Sequence, residues 1–101
     1  MTSQSNSDDS LKGKVVIVTG ANAGMGKEIS LALAAKGANL VMVSRDAARG
    51  EAARADVEEK SGNRSVELLI GDLSSQQAIR HLVQEFTARH DRLHVLVKTL
   101  G

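Results

Sequence analysis

The 101-residue sequence contains no cysteine, tyrosine or tryptophan, and it contains one phenylalanine, Phe86. Without cysteine the chain forms no disulfide and offers no thiolate to a metal ion. With a single Phe ring it also lacks the series of aromatic surfaces on which proteins stack unpaired nucleotide bases. These absences exclude a disulfide-stapled scaffold and a cysteine metal centre, and they argue against binding of single-stranded nucleic acid.

An excess of charge of either sign is also missing, because 13 Lys and Arg stand against 12 Asp and Glu, for a net charge of +1. Both signs are scattered along the sequence, which is not the pattern of a protein that binds nucleic acid or anionic lipid. The apolar runs, such as Val15–Val18, are far too short to cross a bilayer, and the N-terminal stretch lacks the apolar segment of a signal peptide. We therefore expect a cytoplasmic protein with no nucleic-acid partner and no membrane partner.

After a largely polar start, short apolar runs alternate with longer amphipathic stretches. Residues 1–12 show no periodicity and are predicted to form a disordered tail, whereas residues 13–101 are predicted to form one domain. Runs rich in Val, Ile and Leu and bounded by Gly or polar residues predict strands. The four predicted strands are 14–19, 39–44, 65–70 and 93–97.

The three stretches between these strands have the residue spacing of amphipathic helices. Gly37 is the expected C-terminal cap of the first helix, and Asp46 and Gly62 are the expected caps of the second. In the third, Ser74 followed by Gln77 fits a capping box. The predicted apolar faces comprise, in order, Met25, Ile29, Ala32 and Leu33; Ala48, Ala52 and Ala55; and Ile79, Leu82, Val83 and Phe86.

Strands that are apolar on both faces and joined by crossover helices predict an α/β fold with a parallel sheet. The expected architecture is a partial Rossmann fold, with four strands in the order 3-2-1-4 and right-handed connections. In this order two helices cover one face of the sheet and only one covers the other, and the fourth strand is an unpaired edge. We therefore expect a weakly stable chain that self-associates or binds a partner over the exposed sheet.

The first predicted strand runs directly into the loop Thr19–Gly26, which contains three glycines ahead of the first helix. In such an arrangement, unpaired amides and the helix dipole converge on a site for an anion. Gly20 suits a tight turn off the strand, Gly24 a close approach to a pyrophosphate, and Gly26 close packing of helix on sheet. Ordinary turn glycines are the simpler interpretation of such a triplet, but its place between strand and helix favours dinucleotide binding.

A nucleoside-triphosphate cradle is the rival use of this loop, and Gly26-Lys27 fits the end of its motif. However, Ala21 occupies the position of the motif's first glycine, and Glu28 replaces the hydroxyl that holds magnesium. Because a carboxylate repels phosphate, we reject this alternative.

The glycine spacing of Thr19–Gly26 resembles the cofactor loop of the short-chain dehydrogenase/reductase family. The resemblance extends to Leu11–Lys14 before the first strand, Gly71–Ser74 after the third and Leu93–Gly101 at the fourth. It implies that the loop binds a dinucleotide cofactor. The loop residues assigned to that site are Gly20, Asn22, Ala23, Gly24, Met25 and Gly26.

The same resemblance implies a role for two residues after the third strand. Asp72 is expected to accept a hydrogen bond from the adenine amine, and Leu73 is expected to flank the adenine ring. Asp72 also has a structural explanation, because a carboxylate just ahead of a helix stabilises the N-terminus of that helix. The two roles are compatible.

The end of the second strand indicates which cofactor is preferred. An acidic residue there binds the ribose 2′-hydroxyl of NAD, whereas a nearby Arg accommodates the 2′-phosphate of NADP. Ser44 stands at the acidic position and Arg45 follows it. A guanidinium presents planar donors to phosphate, and a serine hydroxyl adds a contact without repulsion. With Asp46 assigned to the helix cap, we predict NADP(H) over NAD(H); the alternative for Arg45 is a solvated loop charge.

In the family that this sequence resembles, the fourth strand ends Asn-Asn-Ala-Gly, and an Asn, a Ser and a Tyr-x-x-x-Lys motif perform the chemistry. Here the strand end, Lys98–Gly101, reads Lys-Thr-Leu-Gly, and tyrosine is absent. His81, His90 and His94 lie away from the carboxyl ends of the strands and are predicted to be structural or solvated. We expect the truncated, catalytically incomplete half of an NADP(H)-dependent oxidoreductase. The alternative is a stand-alone nucleotide-binding or interaction module that pairs with another subunit.

Overall fold

A computed structural model describes residues 10–20, 24–72, 74–93 and 95–97 of the chain. The strands are β1 (Val15–Thr19), β2 (Asn39–Ser44), β3 (Val66–Ile70) and β4 (Val95–Val97), and the helices are α1 (Gly24–Ala35), α2 (Ala47–Ser61) and α3 (Gln76–Arg89). Every predicted strand and helix is present, and their order confirms the predicted alternation. Within these residues no helix is both long and apolar enough to cross a bilayer.

The four strands form a parallel sheet in the order β3-β2-β1-β4, which confirms the predicted topology. Val16 of β1 pairs with Leu40 of β2, and Leu40 pairs in turn with Val66 of β3. Among the described strands β1 and β2 are therefore the inner pair, each flanked on both sides. Successive side chains of these strands point to opposite faces, so the sheet carries a core on each side.

Two helices cover one face of the sheet and one helix covers the other, as the strand order implies. On the first face, Val16, Leu40 and Met42 pack beneath α1 and α2 and are fully buried. On the second face, Leu82 and Phe86 of α3 pack against the alternate side chains of β1, β2 and β3. Burying one such aliphatic or aromatic side chain contributes about 1.5–3 kcal/mol.

The predicted apolar face of α1 is only partly confirmed, because Ile29 and Leu33 pack against the core but the buried positions are small residues. Gly26, Ser30 and Ala34 are buried, whereas Met25 is 71% exposed and Ala32 is exposed. Small side chains let the helix lie close to the sheet. Ser30 is tolerated there because its hydroxyl donates a 2.8 Å hydrogen bond to the carbonyl oxygen of Gly26 one turn earlier.

The predicted apolar face of α2 is wrong, although both of its predicted caps are confirmed. The Asp46 carboxylate accepts a 3.0 Å hydrogen bond from the amide of Arg49, and the Gly62 amide donates to the carbonyl oxygen of Glu58 at 3.0 Å. Alanine contributes little apolar surface. The packing of α2 on the sheet is therefore determined by the larger Val57 and by Gly50, which allows a close approach. The exposed residues are Ala48, Ala52 and Ala55, and the buried residues are Gly50, Ala53 and Val57.

Helix α3 is capped by Ser75 and not, as predicted, by Ser74. The Ser75 hydroxyl accepts a 3.3 Å hydrogen bond from the amide of Ala78, which lies three residues later as in other N-caps. Ser74 is one residue too early, and its hydroxyl and amide donate to Asp72 instead. Gln77 is therefore not placed to complete a capping box.

The apolar stripe of α3 is only half covered. Leu82 and Phe86 are buried, but Ile79 is 39% and Val83 is 54% exposed. Together with Leu96 of β4, which is 50% exposed, the two exposed residues border a cavity of about 510 Å³ between α3 and the sheet. The structure thus contains the exposed apolar surface that the strand order predicts.

The folded part begins before residue 13, where the domain was predicted to start. The amide of Leu11 donates a 2.9 Å hydrogen bond to the carbonyl oxygen of Lys36, and the Leu11 side chain packs against the core under α1 and α2. Residues 1–9 lie outside the described residues.

Candidate functional site

The carboxyl ends of the strands meet at one edge of the sheet. Thr19 pairs with Val43, and Ser44 pairs with Ile70, so the ends of β1, β2 and β3 lie side by side. Ligands of open parallel sheets bind outside this edge. The fold therefore brings together three predicted elements of the site: the glycine loop after β1, the turn after β2 and Asp72 after β3.

The end of the glycine loop has the backbone that an approaching diphosphate needs. Gly20 and Gly24 have φ angles of 64° and 58°, in the left-handed region that favours glycine. A Cβ at Gly24 would meet no atom within 4 Å, so the backbone there is open to a ligand at the start of α1. Gly26 is buried, in keeping with its predicted packing role, and Met25 beside it is exposed. Asn22 and Ala23 lie outside the described residues.

The lysine that follows this loop is directed away from the anion site. Lys27 Nζ lies 2.6 Å from a carboxylate oxygen of Asp56 on α2. A nucleoside-triphosphate cradle would need this lysine at the phosphates. Its pairing with the neighbouring helix agrees with the rejection of that alternative.

A tight turn follows β2 and carries the residue assigned to the 2′-phosphate. The Ser44 hydroxyl donates to the carbonyl oxygen of Asp46 at 3.0 Å and accepts from the amide of Asp46 at 3.1 Å. Ser44 is buried, whereas Arg45 between them is exposed. The turn therefore buries its first residue and displays its second at the edge of the site.

The Arg45 guanidinium has no close partner among the described residues and acts only at longer range on the Asp72 carboxylate. None of them forms a hydrogen bond or a close ion pair with its guanidinium. Asp46, the nearest acidic residue in sequence, instead accepts the amide of Arg49 at the start of α2. This contact confirms the predicted role of Asp46 as the cap of α2.

Asp72 lies after β3. Among the described residues, one of its carboxylate oxygens accepts hydrogen bonds and the other has no hydrogen-bond donor. Oδ1 accepts both the hydroxyl and the amide of Ser74, at 2.7 and 2.9 Å. These hydrogen bonds, aided by the more distant Arg45 guanidinium, hold the pKa of Asp72 below its ordinary value. The charged carboxylate therefore favours the folded chain above the ordinary pKa, and this contribution is lost as the pH falls through the lowered one. Leu73 lies outside the described residues.

Each of the two described histidines contacts a glutamate. His81 Nε2 is 2.8 Å from Glu85 on the same helix, and His90 Nε2 is 2.7 Å from Glu67 of β3. Both are consistent with the structural roles predicted for them, and His94 and the strand end Lys98–Gly101 lie outside the described residues. Among the residues that the structure describes, no cluster of three His, Asp or Glu could hold a metal ion.

Similarity to known proteins identifies the family. A family model described as short chain dehydrogenase matches residues 14–101. The chain belongs to the short-chain dehydrogenase family. Human retinol dehydrogenase 11 is 41% identical over 91 residues, which cover 90% of this chain and 29% of that protein. Bovine dehydrogenase/reductase SDR family member 13 is 40% identical over 92 residues, which cover 91% of this chain and 24% of that protein.

Solved structures of other short-chain dehydrogenases share the fold. A metagenomic short-chain oxidoreductase in complex with NADP has a TM-score of 0.82 and 35% identity, over 91% of this chain and 41% of that one. L-sorbose reductase from Gluconobacter frateurii, complexed with NADPH and L-sorbose, has a TM-score of 0.83 and 29% identity, over 93% of this chain and 35% of that one. The chain spans less than a third of the length of the two curated relatives and less than half of these structures. As a family member it carries the fold that binds a nicotinamide dinucleotide.

Sequence reasoning missed the packing role of two glycines that shape this short-chain dehydrogenase site. A Cβ on Gly50 of α2 would lie 2.9 Å from Cβ of Ser44, and a Cβ on Gly71 would lie 2.5 Å from a methyl group of Leu82. Both glycines therefore allow close packing just behind the carboxyl edge. A glycine inside a helix is the available signal for Gly50, because glycine destabilises helices unless close packing requires it.

Proposed function

We propose that these 101 residues bind NADP(H) in preference to NAD(H) and form the cofactor-binding half of an oxidoreductase that interconverts carbonyl and hydroxyl groups. Arg45 is the observation that carries the preference. It is exposed at the carboxyl edge next to the glycine loop, and Ser44 stands where an NAD-binding protein has an acidic residue. The assigned reaction is supported by the relatives, one of which is a retinol dehydrogenase and one an L-sorbose reductase.

The parts of the site fit the parts of the cofactor. The open backbone at Gly24 and the first amides of α1 suit the diphosphate. The exposed guanidinium of Arg45 suits the 2′-phosphate, and the open carboxylate oxygen of Asp72 suits the adenine amine. Each of these groups follows a different strand, and the register of the sheet keeps them at one edge.

The catalytic half of the reaction is assigned to residues other than these 101. The chain has no tyrosine to serve as the general acid and base, and its two described histidines are paired with Glu67 and Glu85. We therefore propose that the 101 residues bind the cofactor without reducing a carbonyl substrate by themselves.

The test is a titration of the purified 101-residue chain with NADPH and NADH, monitored by cofactor fluorescence and by calorimetry. We expect NADPH to bind at least about tenfold more tightly, which corresponds to one charge-assisted hydrogen bond to the 2′-phosphate. Adenosine 2′,5′-bisphosphate and 5′-AMP, which lack the nicotinamide, should show the same order. A folded chain that ignores millimolar NADPH would refute the proposal, and oxidation of NADPH by an added ketone would refute its catalytic part.

We also propose that the chain self-associates through the apolar surface between α3 and β4. Leu96→Lys places a charge on this surface and should shift the protein toward the monomer in sedimentation velocity runs at several concentrations, because a buried unpaired charge opposes association. Ala52→Lys adds the same charge on the exposed side of α2 and should leave the distribution unchanged. A wild-type monomer with a sharp melting transition that does not depend on concentration would contradict self-association.

A further inference from the structure

The hydroxyl of Ser44 is fully used inside its own turn. It donates to the carbonyl oxygen of Asp46 and accepts from the amide of the same residue, at 3.0 and 3.1 Å. The Ser44 carbonyl oxygen in turn accepts the amide of Gly71 from the end of β3, at 3.0 Å. Ser44 is only 3% exposed. A buried hydroxyl that already donates and accepts has no hydrogen left for a phosphate outside the turn.

The turn is also held from behind by close packing. A Cβ on Gly50 would lie 2.9 Å from Cβ of Ser44 and 3.0 Å from a methyl group of Leu68. The Leu68 methyl can rotate away, but Cβ of Ser44 is attached directly to the backbone of the turn. Glycine at position 50 therefore lets the first turns of α2 lie directly against Ser44.

Movement of α2 is transmitted to Arg45 through its neighbour. Asp46 is the N-cap of α2, and its carbonyl oxygen accepts the amide of Gly50 at 2.8 Å. Asp46 is also the partner of the Ser44 hydroxyl. Arg45 lies between these two anchored residues, so its backbone direction depends on how closely α2 approaches the end of β2.

We propose that Ser44 and Gly50 are positioning residues that direct Arg45 at the 2′-phosphate, and that Ser44 does not bind the phosphate itself. The inference rests on the proposed NADP(H) binding. It attributes the selectivity for NADPH to the packing of the turn after β2 as well as to the charge of Arg45. Both residues act only through Arg45. Their removal therefore affects NADPH and not NADH.

The test is a double-mutant cycle on the 101-residue chain, with Ser44→Ala and Gly50→Ala each made alone and in an Arg45→Ala background. Each single variant should weaken NADPH binding roughly tenfold, the worth of one misplaced charge-assisted contact, and should leave NADH binding unchanged. In the Arg45→Ala background neither should weaken NADPH further, because residues that act through a common partner are not additive. If Ser44 bound the phosphate directly, Ser44→Ala would keep its full effect in that background, and the inference would be overturned.

Gly62→Ala is the matched control, because it makes the same substitution at the other end of α2. Gly62 has a φ of 73° and open space around it, so its replacement lowers the melting temperature without touching the turn. We expect it to leave the ratio of NADPH to NADH affinity unchanged. A drop in the affinity for both cofactors in Gly50→Ala, of the kind that general destabilisation causes, would overturn the positioning role.

Hydrogen exchange at the Asp46 amide tests the turn without any cofactor. That amide donates to Ser44 Oγ, so it should exchange faster in Gly50→Ala and in Ser44→Ala than in the wild type, and at the wild-type rate in Gly62→Ala. If the wild type bound both cofactors equally, the proposed preference for NADP(H) would be refuted. The exchange rates of the Asp46 amide would then still test whether Gly50 and Ser44 hold the turn. An unchanged rate in Gly50→Ala would overturn the inference in either case.

Discussion

In Arg45→Asp, we expect the preference for NADPH over NADH to reverse. The substitution removes a guanidinium whose hydrogen bonds to phosphate are worth about 1.5–3 kcal/mol, which is roughly a 10- to 150-fold loss of NADPH affinity. The new carboxylate repels the 2′-phosphate of NADPH and accepts the 2′-hydroxyl of NADH, so NADH affinity should be maintained or rise. Fluorescence titration of both cofactors against the same preparation measures the ratio directly.

Arg64→Asp is the control for this reversal because it makes the same change of charge at the opposite edge of the sheet. Arg64 is exposed and lies just before β3, whereas Arg45 follows the carboxyl end of β2. A general effect of net charge on a polyanionic cofactor would be the same in both variants. Unchanged relative affinities in Arg45→Asp, or an equal shift in Arg64→Asp, would show that Arg45 does not select the cofactor.

The topology could be predicted from the sequence because it depends on strong local signals, and the same signals led to the proposed location of the site. Apolar strands such as Val15–Thr19 must be covered on both faces, and crossover helices between them leave few possible sheets. Ligands in such sheets bind at the carboxyl edge, so the glycines after β1 could be assigned to a cofactor site from their place in the fold. The assignment of Asp72 to the same site came from the resemblance to the family.

The buried faces of the helices could not be predicted, because they depend on distances between elements. In α2 the alanines recur at helical spacing, and so do Gly50, Ala53 and Val57; the pattern alone does not choose between the two stripes. The approach of α2 to the end of β2 makes the choice, since Gly50 lies against Ser44 with no room for a Cβ.

The N-cap of α3 could not be predicted from the sequence for a similar reason. Ser74 and Ser75 are adjacent and chemically identical, so the sequence permits either to begin α3. Asp72 decides between them, because its Oδ1 accepts both the hydroxyl and the amide of Ser74. Ser75 is left to accept the amide of Ala78. A hydrogen-bond partner outside the helix, and not helix propensity, thus determines where α3 begins.

The turn after β2 joins the fold to the proposed selectivity. A serine at the end of this strand was predicted from the sequence to add a hydroxyl to the phosphate site, but in the structure that hydroxyl closes its own turn. The serine differs from an acidic residue in two ways: it carries no charge to repel a phosphate, and its short side chain can be buried. The neighbouring Arg45 is exposed, and it is the residue of the turn to which we assign the 2′-phosphate.

The second large effect is expected in the glycine loop, where Gly24→Ala should weaken the binding of both NADPH and NADH. At a φ of 58° an L-residue costs roughly 1–2 kcal/mol, and the added methyl group projects into the open space where the diphosphate approaches. We expect a loss of at least about tenfold in affinity for both cofactors. The ratio between the two should stay constant, since their diphosphates are identical.

Gly13→Ala is the control that distinguishes a lost contact with the diphosphate from backbone strain. Gly13 also has a positive φ, 83°, and open space around it, but it lies before β1 at the opposite edge of the sheet. Both substitutions should therefore lower the free energy of unfolding by a similar amount, which urea denaturation measures, while only Gly24→Ala lowers cofactor affinity. Equal losses of affinity in the two variants would mean that backbone strain, and not contact with the diphosphate, explains the result.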